Sequence, residues 1–166
     1  FSRSVKVEDT TIGWRFINPL MKAQHGVDSM PETAENVATE FKIARADQDG
    51  FALRSQERWQ AAHKAGFFNG ETVPVTLPAK KGEPVVFGTD EHPRATTLEA
   101  LGKLKGVVRP DGTVTAGNAS GVNDGSCALL VASDAALKRF NLKPRARVVG
   151  AAVAGVPPRI MGIGPA

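Results

Sequence analysis

The sequence predicts a mixed α/β chain, and three observations carry that prediction. Two stretches in the first half have the composition and spacing of amphipathic helices. Two short runs of small apolar residues in the second half, Ser126–Ser133 and Ala146–Val153, read as strands buried on both faces. Glycine (17) and proline (11) are frequent, so much of the rest is expected in turns and irregular connections. At 166 residues the chain is long enough to bury a core.

Taken in order, residues 1–32 show little periodicity and carry turn formers at Asn18-Pro19, Gly26 and Pro31. A loop is expected there, with a helical turn around Leu20–Ala23. Thr33 is a good N-cap for a helix reaching Phe41. A second helix is expected over Ala46–Ala65, with Phe51, Ala52, Ser55, Trp59 and Ala62 on one face and Gly66 as its stop. Gly50 inside it should cost about 1 kcal/mol relative to alanine. Thr72–Leu77 alternates and is rich in β-formers, and Pro84–Phe87 is a second short strand. The basic turn Lys80-Lys81-Gly82 between them allows a hairpin.

Thr97–Leu104 reads as a short amphipathic helix with Leu98, Leu101 and Leu104 inward, followed by a loop that turns at Pro110-Asp111-Gly112. Thr113–Ala116 is expected to be a strand leading into the densest turn chemistry of the chain. After the apolar run at Ser126, a helix over Asp134–Phe140 is capped near Ser133. Pro165 is well placed to open a further helix, so the ending reads as an interrupted strand-to-helix unit of a larger fold.

Composition narrows the function. The formal charge of +4 fits either a slightly basic soluble protein or one that draws in an anionic ligand. A nucleic-acid partner is not expected: there is no basic stripe with interleaved aromatics, and tyrosine is absent. No apolar stretch approaches the roughly 18 residues a membrane span needs. Cys127 is the single cysteine, which rules out an internal disulfide or a cysteine-rich zinc site and makes a reducing, cytoplasmic setting the default.

The segment Thr115-Ala116-Gly117-Asn118-Ala119-Ser120-Gly121-Val122-Asn123-Asp124-Gly125 carries the chemistry. Its glycines Gly117, Gly121 and Gly125 permit positive φ and let the backbone approach a ligand closely, while Asn118, Ser120, Asn123 and Asp124 supply short polar groups. Such a loop can hold an amide-bearing chain, or it can be a self-capped connection between strands.

This stretch resembles the Thr-Ala-Gly-Asn-Ala-Ser-Gly loop of the thiolase family, followed by Asn-Asp-Gly and a small-residue strand. Met30-Pro31-Glu32-Thr33-Ala34-Glu35-Asn36-Val37-Ala38 is similar to the family's Met-Gly-x-Thr-Ala-Glu-Asn-Val-Ala helix start. Arg45-Ala46-Asp47-Gln48-Asp49-Gly50-Phe51-Ala52 resembles its Arg-x-x-Gln-Asp-x-Phe-Ala helix, and Met161-Gly162-Ile163-Gly164-Pro165 its Met-Gly-x-Gly-Pro loop. Four motifs in order cover nearly all the chain. Asp9–Phe16, Asp28–Thr33 and Glu91-His92-Pro93-Arg94 look most like the branch acting on 3-oxoadipyl-CoA in aromatic degradation, the β-ketoadipate pathway.

The resemblance implies a layered αβαβα fold of two similar halves with an inserted loop domain. Residues 1–112 would be the coenzyme-A-binding loop domain, 113–142 the end of the N-terminal half and 143–166 the start of the C-terminal half. It also implies an acyltransferase that cleaves a 3-oxoacyl-CoA with CoA to acetyl-CoA and a shortened acyl-CoA. CoA would be a substrate, no cofactor would be permanently bound, and the whole enzyme would be a homodimer or homotetramer. Ser120 would hydrogen-bond the pantetheine amide, Ala116 and Val122 would line its channel, and Met30 would pack near the thioester. Arg94 would meet the phosphate-adenine end, and Lys80 and Lys81 would attract the phosphates. Ordinary core packing for Met30, a solvated charge for Arg94 and a charged hairpin tip for the lysines stay open beside these roles.

The reaction needs a nucleophilic cysteine, an acid/base cysteine, a histidine and oxyanion donors. Cys127 cannot fill two roles, and its apolar setting predicts a buried, inert thiol. His25, His63 and His92 lie outside the family's catalytic contexts. No catalytic or metal-binding residue is therefore assigned, and the 166-residue segment alone is expected to be inactive. Two alternatives remain: a non-catalytic CoA-binding module, and a thiolase-like scaffold whose loop merely folds.

Overall fold

The computed structural model describes Val7 and residues 14–79 and 81–166. The expectations for Asp9–Gly13 and Lys80 lie outside the described residues.

Helix α1 (Pro19–His25) starts where the sequence suggests, because Asn18 Oδ1 accepts from the backbone N–H of Leu20 (2.8 Å) and Met21 (3.3 Å). Gly26, at φ 73°, ends it. Helix α2 (Met30–Glu40) begins a turn earlier than Thr33 predicts. Ser29 is its N-cap, and the Glu32 carboxylate reaches back to the Ser29 N–H at 2.8 Å, closing a capping box. Thr33 sits inside the helix instead, its hydroxyl donating to the Met30 carbonyl at 2.7 Å.

Helix α3 (Arg45–Lys64) matches the expected span within a residue at each end. It stops at Gly66, whose φ of 72° lets the Phe67 N–H return to the Ala62 carbonyl at 3.0 Å. Its expected apolar face is only partly used: Ala52, Trp59 and Ala62 are half-buried, but Phe51 is exposed. Trp59 stacks on His63 (4.7 Å between centroids) and Phe68 (6.3 Å) beyond the helix end. The hairpin forms as expected, with β1 (Val75–Leu77) antiparallel to β2 (Val85–Phe87) and Thr76 opposite Val86.

Helix α4 (Leu98–Gly102) is capped by the Thr97 hydroxyl, which accepts from the Ala100 N–H at 3.1 Å. Of the three leucines expected inward only Leu101 is buried; Leu98 and Leu104, the latter beyond the helix end, are exposed, because a five-residue helix packed on α3 turns a single residue fully inward. Thr113–Ala116 does not form a strand but a single antiparallel bridge, Gly106 to Thr115. Helix α5 (Asp134–Arg139) is capped by Ser133 as predicted.

The two buried strands expected in the second half also fail. Ser126–Ser133 and Ala146–Val153 form no strands and are exposed, with Leu129 at 88% and Val149 at 92% exposure. A strand needs a hydrogen-bonding partner, and no described segment pairs with either run. Cys127 is consequently exposed rather than buried.

The packed part of the chain lies elsewhere. A closing 3₁₀ segment, Pro158–Ile163, packs against α2, while α3 packs against α4. Between them sit Ala38, Leu101, Val114 and Ile160, together with the buried polar residues Thr33, Glu35, Asn36, Asp49 and Thr115. Among the described residues this core has five polar members to four apolar ones, and directed hydrogen bonds join it as much as apolar contact does.

Candidate functional site

The turn that follows Thr115 is fixed from three sides. Glu35 of α2 is 3% exposed and accepts from the Val114 N–H (2.7 Å), the Thr113 N–H (3.1 Å) and the Thr113 hydroxyl (3.0 Å). Burial pushes its carboxyl up, but these donors and the positive charge of Arg109 outweigh burial and hold it below the usual carboxylate range. Asn36 bridges farther, donating to Asp28 (2.8 Å) and to the Arg159 carbonyl (2.9 Å) while accepting from Arg109 (3.0 Å). Asn118 closes the turn on itself: its Oδ1 accepts from the Thr115 N–H at 2.7 Å, and its Nδ2 donates to the Thr113 carbonyl at 2.9 Å and to Asp49 at 3.0 Å.

Gly117 and Gly121 serve close approach, not positive φ, while a Cβ on Gly125 would meet nothing within 4 Å; none of the three lies in the left-handed region. A Cβ on Gly117 would come within 2.5 Å of Leu101 Cδ2 and 2.6 Å of Leu104 Cδ1. One on Gly121 would meet the His92 ring at 2.6 Å. The loop is thus pressed onto α4 on one side and onto the 92–94 segment on the other.

The open face of the turn borders a cavity of about 660 Å³. Its walls come from α2 (Met30, Pro31, Ala34, Val37, Ala38), from Ile43 and Gln48 at the start of α3, from Val114 and Asn118 to Val122, and from Gly162. The volume suits a ligand of cofactor size, and the walls are mainly apolar with a few polar residues, Gln48, Asn118 and Ser120. Of the residues picked from sequence, Met30, Ser120 and Val122 meet in this cavity. Ala116 is exposed and not part of the lining. Arg94 also stands apart, its backbone N–H donating to Gln56 at 2.9 Å.

Of the three residues that shape the loop, Glu35, Asp49 and Asn118, sequence reasoning named only Asn118, as one of several short polar groups. Two are carboxylates inside helices, where spacing alone reads as a solvated face. The available signal was that both sit within the motifs themselves. Among the described residues no group of histidine, cysteine and carboxylate side chains could hold a metal, and no helix is long and apolar enough to cross a membrane.

The segments that meet here carry all four family-like motifs, and comparison with known proteins agrees. The model of the thiolase N-terminal domain matches residues 4–135. The chain belongs to the thiolase family. Within it, the chain is 66% identical to the beta-ketoadipyl-CoA thiolase of Pseudomonas putida, across 99% of its own length and 41% of that protein. Among solved structures it resembles the Bacillus anthracis acetyl-CoA acetyltransferase, with 49% identity and a TM-score of 0.74 over 83% of this chain and 35% of that one. It also resembles human mitochondrial 3-ketoacyl-CoA thiolase in complex with CoA, with 46% identity and a TM-score of 0.66 over 82% and 33% of the two chains. The described structure is a partial segment of the thiolase fold, mixing helix and sheet.

Proposed function

We propose that this chain holds coenzyme A within a thiolase that cleaves a 3-oxoacyl-CoA, 3-oxoadipyl-CoA in the first instance, to acetyl-CoA and a shortened acyl-CoA. The observation that carries the reading is the convergence of Met30, Ser120 and Val122 on one mainly apolar cavity, with Ser120 among its few polar lining residues. Pantetheine is a thin apolar chain punctuated by two amides, so it suits an apolar wall with a hydroxyl at one side. Ser120 would bond an amide of that chain, Val122 would line it, and Met30 would lie toward the thioester.

Arg94, exposed on the segment next to Gly121, belongs to the phosphate-adenine end, and Ala116 contributes to the outer channel. The proposed division is a CoA-binding loop domain over 1–112, the end of one core half over 113–142 and the start of the other over 143–166. The nucleophilic cysteine and the catalytic histidine belong to the remainder of the enzyme, which works in the cytoplasm as a homodimer or homotetramer.

A thiolysis assay tests the reading: the intact protein carrying this chain is mixed with 3-oxoadipyl-CoA and CoA, and products are separated by chromatography. Acetyl-CoA with an acyl-CoA two carbons shorter is expected. Binding of CoA with no thiolysis of any 3-oxoacyl-CoA would favour a non-catalytic module instead.

A further inference from the structure

We propose that Asp49 is a positioning residue for coenzyme A, acting through Asn118 on the Ser120 loop; this rests on the CoA reading above. Asn118 lines the cavity two residues before Ser120, and its amide is fully engaged. Its bonds to the Thr115 N–H and the Thr113 carbonyl are internal to the turn and define the turn's shape. Its bond to Asp49 Oδ1, at 3.0 Å, is the one that fixes the turn relative to α3.

Asp49 is well suited to that task. It is 4% exposed and does not itself line the cavity. Its second oxygen accepts from Arg45 Nε at 2.7 Å, one helical turn back. Arg45 in turn donates through Nη2 to the carbonyls of Leu101 (2.5 Å) and Leu104 (3.1 Å) at the end of α4. The guanidinium therefore caps the carbonyls at the end of α4, adding to the Leu104 N–H that the Leu101 carbonyl already accepts at 3.0 Å, and orients the carboxylate with the same fork.

The result is a relay from the α4 terminus through Arg45 and Asp49 to Asn118. Leu101 and Leu104 also press on Gly117, so the same helix end touches the loop twice, once by packing and once through the relay. Gln48, next to Asp49, is part of the cavity wall. A shift of the carboxylate would thus displace Asn118 and move the Ser120 hydroxyl relative to the wall it faces.

The test uses the intact protein, with CoA affinity from calorimetry, steady-state thiolysis, and unfolding followed by circular dichroism. Asp49→Ala is expected to weaken CoA binding roughly five- to tenfold, through loss of a charge-assisted hydrogen bond and its geometry. The KM for CoA should rise in step, while kcat at saturating CoA stays within about twofold. Asp49→Asn can keep an acceptor toward Asn118 only by turning its amino group on Arg45 Nε, so it should recover part of the affinity and fall between alanine and the wild type. Trp59→Ala, on the same helix but stacked on His63 and Phe68, should lose stability and keep CoA affinity.

If Asp49→Ala is less stable but binds CoA like the wild type, or if the asparagine variant is no better than alanine, the positioning role is wrong while the CoA reading stands. If the wild type itself fails to bind CoA, the CoA reading falls and this one with it. Should Asp49→Ala not fold, Arg45→Lys carries the test: the charge remains but the fork is lost, and CoA affinity should drop roughly threefold. Unchanged affinity in that variant overturns the proposal.

Discussion

Replacing Glu35 by glutamine removes one charge from the centre of the molecule and leaves its size unchanged. The carboxylate serves three donors at 2.7, 3.0 and 3.1 Å from a position only 3% exposed. Glutamine offers one carbonyl oxygen and one amino group, so whichever way it turns, the amino group faces a backbone N–H. With the carbonyl kept toward Val114, the Thr113 hydroxyl can rotate to accept, but the Thr113 N–H loses its partner. An orphaned donor costs about 1–3 kcal/mol, and turning the surviving bond from charged to neutral costs about 1 more. The sum is roughly 2–4 kcal/mol at a position only 3% exposed.

Urea unfolding of the intact protein, wild type against Glu35→Gln, measures this directly as a fall in midpoint at unchanged slope. A loss below about 0.5 kcal/mol would show that the buried carboxylate does not fasten the 113–114 segment.

Three other outcomes follow from the same contacts. Gly50→Ala should stabilise the protein by about 0.5–1 kcal/mol, since Gly50 lies inside α3 and a Cβ there meets nothing within 4 Å; a lower urea midpoint would contradict this. Gly117→Ala should destabilise by about 1–3 kcal/mol, because the new methyl must displace both Leu101 and Leu104; a midpoint equal to wild type would contradict that.

The third outcome concerns acid. Glu35 is held low as described, and Glu32 is held low by the Ser29 N–H and hydroxyl and by Arg109. A carboxyl lowered in the folded state contributes stability above its ordinary value of 4.5 and loses it as pH falls through the lowered one. Unfolding midpoints taken between about pH 6 and pH 3 should therefore fall on the acid side, and less steeply in Glu35→Gln.

How much of this was legible in the sequence depended on where the determining interaction lies. Helix α3, the hairpin and α5 follow from local signals: Gly66, the basic turn before Gly82, and Ser133 each act within a few residues. The start of α2 was misplaced because Thr33 and Ser29 are both competent caps. The choice falls to Glu32, which sits three residues after Ser29 and completes the capping box. The apolar runs at 126–133 and 146–153 carry a genuine strand pattern, but pairing is a long-range property and no partner lies among the described residues.

At the site, Met30, Ser120 and Val122 came from motif matching, and their meeting in one cavity could not have been read from spacing, since some 90 residues separate the first from the others. The glycine argument, positive φ and close approach to a ligand, was wrong about φ, and the close neighbours at Gly117 and Gly121 are the chain's own Leu101, Leu104 and His92 from distant segments. Glu35 and Asp49 were passed over because a carboxylate in a helix is normally solvated; only the fold shows that both point at a loop some 70 residues away.

A crystal structure of the intact protein soaked with CoA tests the Ser120 loop most directly. The account places a pantetheine amide within about 3.0 Å of the Ser120 hydroxyl, along the wall formed by Met30 and Val122. Coenzyme density lying elsewhere, with the cavity at Ser120 left to solvent, would contradict it.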